Sequence, residues 1–222
     1  MYKCCIFDLD GTLLNTVKAL QKATNLTMER FGLGELSEEQ IKSIVGDGYK
    51  TQMERALKLC GDKELIHYEE ALTAYMEIFG KHCMYQVAPY DGILTLLQKI
   101  REKGLKTAVF SNKPHAQTVE NITGLFGREA FDTVRGQQEG IPKKPAPDGV
   151  FLIMKELGVK PGECLYFGDT GTDMQTGKNA GLDTVGVLWG FRGREELESY
   201  SPRYLIEKPE EAIRIISGEQ GI

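Results

Sequence analysis

At 222 residues, with 41% hydrophobic and 27% charged side chains, the chain has an ordinary globular composition and enough length to bury a core without disulfide or metal staples. Its 27 Lys and Arg against 32 Asp and Glu give a formal charge of −5, which leaves no basic footprint for nucleic acid or an anionic membrane surface. No run approaches the roughly 18 apolar residues of a membrane span. The amino terminus lacks the tripartite pattern of a signal peptide, and the five cysteines include no C-x-x-C pair, so reduced core thiols and a cytoplasmic location are expected.

The first predicted element is a buried strand over residues 2–7, apolar at successive rather than alternate positions. It ends in Phe7-Asp8-Leu9-Asp10-Gly11-Thr12, with two carboxylates at i and i+2. The carboxyl end of a parallel strand is where open α/β sheets bind ligands. One Asp there reads as a turn that stops the strand. Two suit a nucleophile toward phosphorus and a neighbour that trades protons with the leaving group. From about residue 15 to 86 only helical patterns follow: 20–31, 41–45, 53–60, and Leu72, Tyr75, Met76 and Phe79. Ser37 and Gln40 form a capping box ahead of the second of these. The interval 15–86 is read as an all-helical insertion after the first strand, with 1–14 and 87–222 forming an α/β core. Within it, Gly46-Asp47-Gly48 reads as an interhelical turn and, compatibly, as a substrate loop.

Ile93, Leu96, Leu97 and Ile100 recur at helical spacing, and Gly104 falls where a C-terminal cap belongs. A strand over 105–110 then runs into Ser111-Asn112-Lys113-Pro114, with Pro114 placed as the first residue of a helix. A hydroxyl beside free backbone N–H groups makes either a phosphate cradle or a plain cap. Lys143-Lys144-Pro145-Ala146-Pro147 holds a basic pair in a stiff turn before the helical pattern Val150, Phe151, Met154, Leu157, which Gly158 closes. A strand over 164–167 ends in Gly168-Asp169-Thr170-Gly171-Thr172-Asp173, whose two carboxylates are spaced as on one face of a helix's first turn. Taken alone, they also fit N-capping. A last strand covers 184–188. Strands alternating with helices define a Rossmann-like open parallel sheet of the α/β class.

If the two acidic clusters converge, Asp8, Asp10, Asp169 and Asp173 bring about four negative charges together, each like pair at 4 Å costing about 4 kcal/mol at an effective dielectric of 20. Such a site calls for a cation. All-oxygen donors favour a hard divalent ion, Mg²⁺ before others, and no histidine near the first strand suggests zinc.

FDLDGT, VFSNKP, KKPAPDG and GDTGTDM, in this order at these strand ends, resemble the four motifs of the haloacid dehalogenase superfamily of phosphohydrolases. The resemblance covers essentially the whole chain. It implies that Asp8 attacks the phosphate and forms an aspartyl-phosphate, and that Asp10 acts as acid and then base. Ser111, Asn112 and Lys144 would bind the phosphoryl group. Asp8, the backbone carbonyl of Asp10, and Asp169 would ligate Mg²⁺, with Asp173 orienting waters or Lys144. Lys143 competes for the lysine position, but Lys144 directly precedes Pro-Ala-Pro and is preferred. Dehalogenases of the superfamily lack the second Asp, so Asp10 disfavours carbon–halogen chemistry. The helical insertion is similar to the family's small cap, which closes over the phosphate site. Gly46-Asp47-Gly48 with the helix after it, and Gly186 to Gly193, resemble phosphoglycolate phosphatases; Trp189 and Phe191 there read as packing residues. The expected activity is Mg²⁺-dependent hydrolysis of a small phosphorylated metabolite, phosphoglycolate-like. A phosphosugar mutase and a pyrophosphate or nucleotide phosphatase remain alternatives. The mutase is disfavoured because the helical interval holds only Arg30 and Arg55. A phospho-ligand sensor is the non-enzyme alternative. A monomer or weak homodimer is expected, with no nucleic-acid or membrane partner.

Overall fold

Strand β1 (Cys4–Phe7) is buried at all four positions because both of its faces are covered. Cys5 and Phe7 enter one core cluster, with Ile93, Leu96 and Ile100 of α5 (Ile93–Glu102) and Ala212, Ile215 and Ile216 of α10 (Pro209–Ser217). Cys4 and Ile6 enter another, with Val150, Ile153 and Met154 of α7 (Asp148–Leu157). This two-sided burial explains why the segment reads as a continuous apolar run. These elements belong to a computed structural model that describes residues 1–218.

β1 pairs in parallel with β4 (Lys106–Pro114) and with β6 (Cys164–Gly168). The sheet extends outward to β5 (Thr133–Gln137), and through β7 (Asp183–Val187) to β8 (Tyr204–Ile206), in the order β5-β4-β1-β6-β7-β8. Every pairing in it is parallel. The chain winds from β1 to β4 and β5, then returns across β1 to β6, β7 and β8. The carboxyl ends of β4, β1 and β6 therefore flank the point where the winding reverses, which is the ligand crevice of open α/β sheets. β5 and β8 were not among the predicted strands. Both are edge strands: β5 carries Arg135, Gly136 and Gln137, and β8 has three residues, so neither leaves an apolar run.

Four helices, α1 (Val17–Arg30), α2 (Glu38–Ile44), α3 (Tyr49–Leu59) and α4 (Tyr68–His82), lie between β2 (Leu14–Asn15) and β3 (Ala88–Pro89). β2 and β3 pair antiparallel, Leu14 opposite Pro89. The helices share a core of their own that includes Leu20, Met28, Ile41, Met53, Leu57, Tyr75 and Phe79. The capping box ahead of α2 forms as read: Ser37 Oγ accepts from the Gln40 N–H, and Gln40 Oε1 accepts from the Ser37 N–H at 2.9 Å. The remaining helices are α6 (His115–Phe126), α8 (Gly171–Asn179) and α9 (Arg194–Ser199). Pro114 corrects its expectation. It is extended, closes β4 and caps α6, which begins at His115, because β4 shifts its pairing with β5 after Phe110 and so runs on to Pro114. All five cysteines are free, four buried and Cys60 partly exposed. No helix among the described residues is long and apolar enough to cross a membrane.

Candidate active site

The loop after β1 turns sharply enough to present Asp8 and Asp10 at the rim of the sheet. Gly11 makes this possible: its φ is +84°, and a Cβ on it would stand 2.2 Å from Asp169 Oδ2. Asp169, directly after β6, is held by the Thr12 hydroxyl (3.1 Å to Oδ1) and the Phe191 N–H (2.8 Å to Oδ2). Gly190, which immediately precedes Phe191, passes so close that a Cβ there would lie 2.3 Å from the Asp169 Cβ. Gly11→Ala is therefore expected to push Asp169 aside. A fall of about 10- to 100-fold in the affinity for a divalent cation, read by titration calorimetry, is the expected result.

Asp169 and Asp173 do not share a helix face. Thr170 between them is the N-cap of α8, and a capping box fixes Asp173, whose Oδ2 accepts from the Thr170 hydroxyl (2.6 Å) and N–H (3.1 Å). This leaves Asp173 Oδ1 to accept from Lys144 Nζ at 2.7 Å. The same ammonium lies 2.8 Å from Asp8 Oδ1, but at an angle that leaves this buried oxygen without a hydrogen bond. Lys144, 2% exposed, is the one of the two candidate lysines that enters the acidic cluster. Lys143 instead reaches the helices, donating to the Asp47 carbonyl at 2.6 Å and to Thr51 Oγ1 at 3.0 Å.

Carboxylate oxygens of Asp8, Asp169 and Asp173 all lie within 4.8 Å of one another. Against these three acids stands one ammonium, Lys144. Burial, reinforced by Asp173, pushes the Asp8 carboxyl up to about 7 although Lys144 opposes the rise. Burial and then Asp173 and Asp8 hold Asp169 well above the usual carboxylate range. Burial works against the charge of Lys144, yet Asp173 and Asp8 outweigh it and raise its affinity for the proton. An excess of buried carboxylates over ammonium groups, built only of oxygens, fits a hard divalent cation.

Ser111 sits at the end of β4, its Oγ accepting from the Lys113 N–H at 3.3 Å, so its own proton remains free to be donated. Asn112 lies beside it, but the side chain is fully engaged. Nδ2 donates to the carbonyls of Gly46 (3.0 Å) and Lys144 (3.2 Å), and Oδ1 accepts from the Lys144 N–H at 2.8 Å. It works as a strut, and its side chain keeps no donor for a phosphate. Gly46 and Gly48 line the same cavity as Asp8, Asp10 and Ser111. The Asp47 side chain turns away: its Oδ1 accepts from the Thr172 hydroxyl (2.6 Å) and its Oδ2 pairs with Arg55 (2.6 Å). The Thr172 and Arg55 contacts outweigh burial and hold its carboxyl below the usual range. Trp189 packs on the sheet core and donates to the Thr12 carbonyl at 2.9 Å, while Phe191 packs on the helices and also lines the cavity. Lys113 was not foreseen: its Nζ lies 2.7 Å from Asp10 Oδ1. The signal was present, since Lys113 continues an apolar strand, where a charged side chain is buried only when paired.

A crevice at the sheet's winding reversal, with an acidic cluster, a buried lysine and a serine at adjoining strand ends, defines a phosphoryl-handling α/β hydrolase. Residues 5–187 match the family model described as haloacid dehalogenase-like hydrolase, and the chain belongs to that family. It is similar to a phosphoglycolate phosphatase of Aquifex aeolicus, 30% identical over 95% of each chain. A pyrophosphatase PpaX of Listeria innocua is 28% identical over 97% of this chain and 96% of its own. A crystal structure from Lactobacillus delbrueckii subsp. bulgaricus, assigned as a candidate phosphoglycolate phosphatase, superposes with a TM-score of 0.90 at 32% identity. It covers 97% of this chain and 98% of that one.

Proposed function

We propose that the chain is a Mg²⁺-dependent phosphatase that hydrolyses a small phosphorylated metabolite, phosphoglycolate-like, through an aspartyl-phosphate on Asp8. Segment 15–86 acts as the cap over a core made of 1–14 and 87–222. The observation that carries this reading is the meeting of Asp8, Asp169 and Asp173 beside Lys144, with Ser111 and Asp10 joining Asp8 on one cavity wall. Five free thiols, four of them buried, fit the reducing cytoplasm.

Asp8 and Asp169, with the main-chain carbonyl of Asp10, would hold Mg²⁺, which when bound supplies positive charge to the phosphoryl oxygens. An Asp8 oxygen attacks phosphorus. As that bond forms, the bond to the leaving oxygen breaks, and the leaving oxygen takes a proton from Asp10. Water then attacks the same phosphorus, Asp10 takes the proton the water gives up, and the bond to Asp8 breaks to free phosphate. Asp10 is suited to this exchange because Lys113 engages Oδ1 and leaves Oδ2 for the proton. The Lys144 ammonium and the Ser111 hydroxyl hold the transferring oxygens. Asp173, engaged by Thr170, orients Lys144.

Neither arginine of the helical segment faces the cavity: Arg55 pairs with Asp47 and Arg30 with Glu77. This supports hydrolysis over the mutase reading, which the resemblance ties to an arginine-rich helical segment. Turnover of p-nitrophenyl phosphate is expected to fall to background in EDTA and to return with Mg²⁺. Turnover that ignores chelation overturns the reading.

A further inference from the structure

Lys113 is 5% exposed, and its ammonium makes one hydrogen bond among the described residues, to Asp10 Oδ1. Two of its three N–H donors are left uncommitted. An ammonium taken out of water with donors unused is costly, and the face of the Phe79 ring, 5.0 Å away, offsets only part of that cost. Lys113 lines the cavity between the strand ends and the helices, whose water-accessible volume is about 40 Å³. Lys144 does not line it; the other charged side chains on its wall are Asp8 and Asp10. Leu20, Val45, Tyr75 and Phe79 make much of the rest of the wall apolar and aromatic. Gln52, the polar side chain among them, donates to Thr24 Oγ1 at 2.9 Å. The leaving group must pass beside Asp10, and so beside Lys113.

We propose that Lys113 is the specificity residue of the site and receives an anionic oxygen carried by the leaving group. The preferred substrates are then phosphoryl compounds whose leaving group is itself an anion, through either a carboxylate or a second phosphate. Uncharged alcohols of similar size leave the two N–H groups buried and unpaired, which is how a polar site rejects an analogue that lacks the matching group. This inference rests on the phosphatase reading above.

The test compares kcat/KM with Mg²⁺ for 2-phosphoglycolate, its uncharged carboxamide, pyrophosphate and p-nitrophenyl phosphate. In the wild-type chain the carboxylate is expected to exceed the carboxamide by about 10- to 100-fold. Pyrophosphate outrunning 2-phosphoglycolate assigns the anion to a phosphate, and the reverse order to a carboxylate. Lys113→Met is expected to bring the acid-to-amide ratio to within about threefold of one, whatever uniform loss follows from freeing Asp10. Lys113→Arg keeps part of the preference. A ratio that survives Lys113→Met while all substrates slow equally overturns the proposal and leaves Lys113 as a positioning residue for Asp10. If Lys113→Met does not fold, the wild-type ratio decides, and a value near one overturns the proposal. No turnover of any of the four compounds removes the phosphatase reading itself, whereas turnover with a flat ratio removes this proposal alone.

Discussion

Asp8→Asn is expected to lower kcat by more than about 10⁴-fold, because an amide neither attacks phosphorus nor forms an acyl phosphate that water can cleave. The substitution is nearly isosteric, so the loss is chemical. Stability should move the other way. In the folded chain the Asp8 carboxyl is raised to about 7 from an ordinary 3.8, chiefly by burial and then by Asp173. A raised acid binds its proton more tightly when folded than when unfolded. Its contribution therefore favours the fold at low pH and is lost as pH rises from about 4 through about 7. In EDTA, the wild-type melting temperature is expected to fall between pH 5 and pH 8 by on the order of 5 °C, and Asp8→Asn should flatten that slope. Saturating Mg²⁺ should raise the wild-type melting point more at pH 8 than at pH 5. Circular dichroism melts with and without the metal check all three statements. A kcat within tenfold of wild type in Asp8→Asn rules out the nucleophile assignment.

The parts of the site legible in the sequence are those in which chemistry and local structure coincide. Asp8 and Asp10 follow a strand buried on both faces, and Asp169 follows another, so an apolar run directly precedes each acid. The capping box of α2 was readable because both of its partners lie within four residues. What escaped is held by contacts between distant segments. Lys113 meets Asp10 across 103 positions, and Asn112 meets Gly46 across 66. Gly190 reads as an ordinary loop glycine until Asp169 is seen packed against its Cα. Asp173 carried an ambiguous signal for a physical reason: it caps a helix and positions Lys144 with different oxygens of one carboxylate. The edge strands β5 and β8 had too little apolar surface to bury to leave any periodicity.

Lys144→Met keeps the length of the side chain and removes the cation, and its largest expected effect is on folding. Three carboxylates would then share a buried space with no ammonium among them. Removing one partner of a buried ion pair costs about 3–5 kcal/mol, a fall of on the order of 10 °C in melting temperature for a chain of this size. The deficit should be greatest in EDTA at pH 8, where the acids are most fully ionised, and should shrink when Mg²⁺ replaces the missing charge. Activity should stay about 10²- to 10³-fold down even in Mg²⁺, because a donor to the transferring phosphoryl oxygens has gone. A second substitution separates the two roles. Asp173→Asn retains the capping position on α8 while removing one of the charges that Lys144 balances. Combined with Lys144→Met, it should recover part of the lost stability, a coupling of about 1–3 kcal/mol between contacting residues, and recover no turnover. Equal melting of Lys144→Met and wild type in EDTA at pH 8 would mean that the acids are already neutral there, and that the ammonium balances nothing.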